Sequence, residues 1–314
     1  MSSKPMRLVF GEMLRELGSE HKELLVADAD VSSSTQTKLF ADVYPDRFFN
    51  FGIAEANMVA AAAGMAASGY TPVVSTFAFL LTLRAGDIIR SLIAYNSLNV
   101  KLAGGYAGLS DFADGASHQS VLDIAVMRAM PNMTVLVPSD IETTRGAVRA
   151  MIEHQGPVYL RLSRDMVETY HSGNERVEFG HANVLREGDD VTLCVCGTPL
   201  KQTLEAADAL AAMGIHAAVL EYVCVKPFDA ETLVKYAAKS RAVVSIEEHN
   251  IIGGLGGAVA EALAENAPAP LCRIGLNDTF GESGPYSLLL DKHGITAVNI
   301  AAAAKRMVEA KKQN

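Results

Sequence analysis

The sequence predicts an α/β fold: two doubly wound domains, each with a mainly parallel sheet. Three observations carry this. Short apolar runs alternate with helix-period patterns along the whole chain. Several of these runs are apolar throughout and end in polar or acidic residues, as strands buried on both faces do. A polar stretch with few apolar runs separates two such series, which places the domains at 1–168 and 191–314, joined by a linker and edge strand over 169–190.

The elements run in order. Residues 7–17 carry Leu8, Met13 and Leu14 at helical spacing and read as the first helix. ELLVADAD, 23–30, is a strand ending in acids, and the polar VSSSTQT, 31–37, comes next as a loop. An alanine-rich helix runs from about residue 56 to 67. TPVVSTFAFL, 71–80, is a second strand opening into a helix that continues to Arg90. SLNVKLAGG, 97–105, is a third, entering a Gly/Asp-rich loop over 104–117, and 118–130 reads as helix. NMTVLVPSD is a fourth strand, with Ser139 or Asp140 placed to cap the helix IETTRGAVRAMIE, and GPVYLRLSR, 156–164, is a fifth. Beyond the linker, DVTLCVCG, HAAVLEYVCV, AVVSIEEHN and PLCRIGL are strands, separated by helices over 200–213, 230–239 and 255–265. In such sheets ligands gather at the C-terminal strand ends, where the loops after Asp28, Val74, Ala103 and Leu162 lie.

Composition narrows the function. The chain of 314 residues is 49% hydrophobic and 20% charged, with net charge -9, enough for two real cores. Acids and bases are mixed and no basic stripe appears, so no nucleic-acid partner is expected. No signal-like run opens the chain and no apolar stretch reaches a membrane span, so no membrane partner is expected. The four cysteines form no CxxC pair, and Cys194 and Cys196 alternate within a strand run. Free thiols in the cytoplasm are expected, and no protein metal site. GxSxG, HExxH and P-loop patterns are absent.

Some residues invite chemistry. Glu55 lies in FGIAEANMVAAAA, at the entrance to the alanine-rich helix. It is either a first-turn charge favoured by the helix dipole or a half-buried acid with a raised pKa. In DFADGASHQS, Asp114 and His118 flank a glycine turn: an acid and an imidazole for sugar hydroxyls, or an Asx turn with a capping Ser117. Phe77 and Phe79 are core aromatics or a wall for a flat heterocycle. Arg7, Ser32 to Ser34 and Arg164 each fall at an element end, as surface residues or as a phosphate clamp. IIGGLGGAV lacks the spacing of a dinucleotide loop and reads as tight helix packing.

Together, GIAEANM, PVVSTFAFLLTLRAGDIIR, ADGASHQSVLDIAVMRAMPNMTVLVPSD, LRLSR and EEHNIIGGLGGAV resemble the C-terminal half of transketolase, in that family's order and over nearly the whole chain. The resemblance implies a pyrimidine-binding domain and a transketolase C-terminal domain. The diphosphate-binding domain, with its GDG and a following Asn, is missing, so the chain looks like the C-terminal subunit of a split, two-chain transketolase. The same resemblance implies thiamine diphosphate shared with a partner subunit, Mg2+ held mainly by that partner, and an α2β2 assembly. The reaction implied is transfer of a two-carbon ketol unit between sugar phosphates.

Residue by residue, Glu55 matches the glutamate that bonds N1′ of the aminopyrimidine. An acid sharing a proton there stabilises the imino tautomer, provided apolar surroundings raise its pKa. Ile53 lies beside it, and Phe77 and Phe79 match the aromatic wall. His118 and Asp114 match residues at the sugar hydroxyls near the reacting carbon. Arg7, Ser33 or Ser34, and Arg164 match the far-end phosphate clamp. Tyr106 stands where many relatives carry histidine, Ala116 replaces the proline of DGPTHQ, and Leu80 replaces a second aromatic. These departures point to an unusual ketose phosphate. Two alternatives share features of the sequence: the β subunit of a 2-oxo-acid dehydrogenase E1 component or a deoxyxylulose-phosphate-synthase-like enzyme, and a non-catalytic scaffold subunit that kept the fold.

Overall fold

The structure is a computed structural model that describes residues 3–173 and 176–311. Its frame is two sheets. The first orders its seven strands as Cys224–Lys226, Thr134–Leu136, Val158–Arg161, Lys101–Gly105, Thr71–Phe77, Leu24–Asp28 and Phe48–Asn50. All neighbours run parallel except Cys224–Lys226, which is antiparallel to Thr134–Leu136. The second orders five as Leu271–Leu276, Val243–Asn250, Val191–Val195, Ala217–Glu221 and Asn183–Arg186, the last antiparallel. A short antiparallel pair, Lys4–Pro5 with Met166–Val167, stands apart. The α/β class read from the alternating pattern is what the chain adopts.

Strand Leu24–Asp28 is buried at every position, so both its faces need cover. Its alternating side chains supply two layers. Leu24 and Val26 join a cluster with Met6, Phe10 and Leu14 of the helix Met6–Glu20. Ala27 joins another with Met58, Val59 and Ala62 of the helix Glu55–Ala67. That second cluster runs on through Cys194, Leu220 and Val225, so the two sheets share one apolar core. None of the helices described is long and apolar enough to cross a membrane.

Several sequence expectations change. VSSSTQT is not an open loop: it holds the short helix Ser32–Thr35, because the buried Asp28 carboxylate takes the Val31 amide at 2.6 Å and the Thr35 and Thr37 hydroxyls at 2.9 Å each. The helix predicted over 118–130 begins only at Asp123, after a tight turn at Gly115–Ser117. HAAVLEYVCV is two strands, one in each sheet, separated at Tyr222 and Val223. Strand Phe48–Asn50 and helices Tyr286–Lys292 and Ala297–Lys311 were not anticipated. The cap of helix Ile141–Glu153 is Asp140, whose Oδ1 takes the Thr143 amide at 2.8 Å.

Asp140 also anchors the connection between the sheets. His171 is buried between Asp140 Oδ2, 3.0 Å from its Nδ1, and Glu221 Oε2, 2.8 Å from its Nε2. Burial opposes the charged ring, but hydrogen bonds to both carboxylates outweigh it and push His171 up to about 10. A raised histidine contributes stability that is full below its ordinary 6.5 and is lost as pH climbs through about 10. His171→Ala strands two buried carboxylates and is expected to cost about 3–5 kcal/mol at about pH 6. Urea unfolding checks this: the gap between wild type and variant narrows toward pH of about 10.

Candidate active site

Strands Leu24–Asp28, Thr71–Phe77, Lys101–Gly105 and Val158–Arg161 are parallel, so their C-terminal ends share one edge. Tyr106, just past the third, is the hub. Its ring lies against Phe77, centroids 4.5 Å apart and planes tilted by 32°. The guanidinium carbons of Arg7 and Arg164 lie 5.5 and 4.9 Å from its centroid, within cation–π reach. Its hydroxyl accepts Arg7 Nη1 at 2.5 Å. Tyr106 is buried and holds φ of 58°, a left-handed conformation that costs energy in a bulky residue and persists only where neighbours fix it.

Arg7 Nη1 also donates to the Ser34 carbonyl at 3.1 Å, so Ser34 meets the cluster through its backbone rather than the hydroxyl expected. Ser33 is exposed, its carbonyl accepting from the Gln36 side-chain Nε2, and it stands outside these contacts. Arg164 Nη1 donates to Asp111 Oδ1 at 3.1 Å and its guanidinium carbon lies 5.2 Å from the Phe112 ring centroid. His118 is 6.3 Å from Phe77 and 6.4 Å from Phe79, ring centre to ring centre, with Nδ1 2.9 Å from Ser117 Oγ. Asp114 is exposed beside Asp111. Burial and the adjacent Asp114 push Asp111 up to about 6, against the pull of Arg164 and His118. Sequence reading missed Asp111, because nothing in its local pattern distinguishes it from a turn acid.

Glu55 opens helix Glu55–Ala67 and is 2% exposed, while Ile53 is 77% exposed. Its surroundings are not apolar alone: Oε2 takes Arg84 Nη1 at 3.1 Å, from a side chain 53% exposed. Arg84 was missed too. It closes the wide π-helical turn Leu80–Arg84, followed after Gly86–Ile88 by a second, Ile89–Ala94, and such turns recur at functional sites.

The second sheet holds the site loop from behind. Glu248 Oε1 accepts the Leu109 amide at 2.5 Å, and Oε2 accepts the Thr198 and Tyr286 hydroxyls at 2.6 Å each. Gln119 donates to the Glu282 carbonyl at 3.0 Å, and the Gly284 amide to the Phe112 carbonyl at 3.1 Å. The glycine loop of IIGGLGGAV is filled by its own chain: the Leu255 and Gly256 amides donate to Glu247 at 2.7 and 2.8 Å. It is a packed helix start, as its glycine spacing indicated. Among the described residues no three His, Cys, Asp or Glu are grouped to hold a metal.

Two family profiles match the chain: the transketolase pyrimidine-binding domain over residues 2–169 and the transketolase C-terminal domain over 180–300. A Methanocaldococcus jannaschii protein, provisionally described as a transketolase C-terminal section, is 44% identical over 99% of this chain and 97% of its own. The 6-deoxy-6-sulfo-D-fructose transketolase subunit of Clostridium sp. strain MSTE9 is 40% identical over 98% of this chain and 95% of its own. A solved split-gene transketolase, described as an inactive beta4 tetramer, is 46% identical with a TM-score of 0.91, covering 97% of this chain and 98% of its own. The chain belongs to the transketolase family. Within it, the chain corresponds to the C-terminal section of a split transketolase.

Gly108 tests the support from behind. It holds φ of +67°, and a Cβ there would lie 2.3 Å from Glu248 Oε1. Gly108→Ala is expected to dislodge that carboxylate from the Leu109 amide and cost about 1–3 kcal/mol. Hydrogen exchange checks it: the Leu109 amide loses protection before the strands do.

Proposed function

We propose that this chain supplies the pyrimidine side of a thiamine-diphosphate-dependent transketolase, and that a partner subunit supplies the diphosphate side and holds most of the Mg2+. The observation that carries this is Glu55: a carboxylate sunk at a helix start, on the same sheet edge as the Tyr106 cluster. The residues fit an aminopyrimidine. A buried carboxylate accepts a ring N–H, and Phe77 and Phe79 offer a flat wall, with Ile53 at the mouth. Thiamine diphosphate, when bound, supplies the carbanion chemistry.

This chain's residues do the rest. Glu55 holds a proton at the ring nitrogen, a role for which its carboxylate must be shared with or released by Arg84. His118 and Asp114 hold hydroxyls near the reacting carbon. Arg7, Arg164 and Tyr106 take the far, acidic end of the sugar. Sugar phosphates are the class the family suggests, and the relative from Clostridium, named for a sulfo-sugar, brings a sulfonate end within the same reading. The inactive tetramer described for the solved split-gene transketolase supports self-association and a need for the partner, consistent with α2β2. The free, buried Cys194, Cys196 and Cys224 fit a cytoplasmic location.

Co-purification with the chain carrying GDG and its Asn, then ketol transfer across a panel of acidic ketoses, tests the reading. Turnover is expected only with both chains and thiamine diphosphate; turnover of an oxo acid and of no ketose replaces it. Glu55→Ala is expected to lower turnover by at least about 10²-fold with circular dichroism and assembly unchanged. Near-normal rates remove its role.

A further inference from the structure

The far-end cluster carries a counter-charge that a simple phosphate clamp does not need. Arg7 and Arg164 both face Tyr106. Asp111 is fully buried behind Arg164, and its Oδ1 accepts that guanidinium at 3.1 Å. Its buried Oδ2 receives no cation or backbone amide among the described residues; the other group beside it is the Asp114 carboxyl, an acid that opposes its charge instead of neutralising it. Phe112, also against Arg164, keeps water from one side of the pair. Two arginines less one buried carboxylate leave a net charge of about +1 facing the ligand. Asp114, next to Asp111, reduces it further.

A phosphate monoester carries about -1.5 to -2 at neutral pH. It would place its second charge near a buried carboxylate in a partly dry site, where like charges repel strongly. A group with one negative charge matches the cluster instead.

We propose that Asp111 is a specificity-determining residue, and that the far end of this protein's substrate carries one negative charge, as a sulfonate or carboxylate does, rather than the two of a phosphate. This rests on reading the Arg7–Arg164–Tyr106 cluster as the far-end subsite. Arg164 is held by Asp111 in a fixed orientation and with its charge partly neutralised, while Arg7, bonded to Tyr106 and the Ser34 carbonyl, keeps its charge for the ligand.

The subsite lies within this chain, so the full-length chain alone serves for the test. Three diol probes are titrated calorimetrically at about pH 8, where the phosphate is a dianion: glycerol 3-phosphate, 2,3-dihydroxypropane-1-sulfonate and 3,4-dihydroxybutanoate. The sulfonate or the carboxylate is expected to bind wild type at least about fivefold tighter than the phosphate, and the tighter of the two names the group. Asp111→Asn, and independently Asp111→Leu, are expected to shift the ratio toward phosphate by about tenfold or more. Phosphate binding tightest to wild type overturns the proposal. So does an unchanged ratio in a folded variant, or no binding of any probe to wild type. If neither variant folds, the wild-type ranking decides. Turnover is not involved: a chain that prefers the monoanion but transfers no ketol unit keeps this subsite and loses the transketolase reading, and the reverse outcome does the opposite.

Discussion

A buried arginine joins the two halves of this molecule. Arg161 Nε donates to Asp123 Oδ2 at 2.9 Å, and Nη2 donates to the Ser120 carbonyl at 3.2 Å and the Glu248 carbonyl at 2.9 Å. Tyr159 adds its hydroxyl to the same Asp123 oxygen at 2.7 Å. Arg161, Tyr159 and Asp123 belong to the first sheet and its helices; Glu248 belongs to the second. A charge this deep is tolerable only when every neighbour is in place, because an unpaired remainder is very costly to bury. The pairing therefore fixes where the sheets meet as well as how firmly.

The site inherits its shape from that junction. The backbone from Ala107 to Ser120 lies directly over it, bonded below by Arg161 and behind by Glu248. Tyr106, strained at the head of this loop, then has its ring held by Phe77 and its hydroxyl by Arg7. Rigid support of this kind lets a loop carry specific chemistry, since small displacements of polar groups are expensive in rate. The C-terminal half thus acts on the site mainly through position, its Tyr286 ring meeting Phe112 at the rim of the cluster, 6.4 Å between centroids.

Much of this was legible in the chain itself, and the reasons differ by element. Strands such as VTLCV, Val191–Val195, announce themselves because burial on both faces leaves a nearly continuous apolar run. Glu55 could be placed at a helix start from the alanine pattern that follows it. Arg7, Tyr106 and Arg164 were chosen singly, from element ends and family likeness, and their meeting around one ring is set by strand order, which local periodicity does not encode. Asp111 and Arg84 lay beyond reach for the same reason: each is defined by a partner distant in sequence, Arg164 in one case and Glu55 in the other. The division of HAAVLEYVCV was hidden because both pieces are equally apolar and only their neighbours tell them apart.

That division has a consequence for how such a chain can change over generations. The strand Cys224–Lys226, encoded within the second half, completes the outer edge of the first sheet beside Thr134–Leu136. A recombination event that exchanged one half for a distant counterpart would strip that edge and leave its amides and carbonyls open to pairing with foreign strands. The two halves are sutured by backbone as well as by side chains. They are expected to descend together as one heritable unit, with the chain's permissible breakpoints lying outside the interval that strand closes.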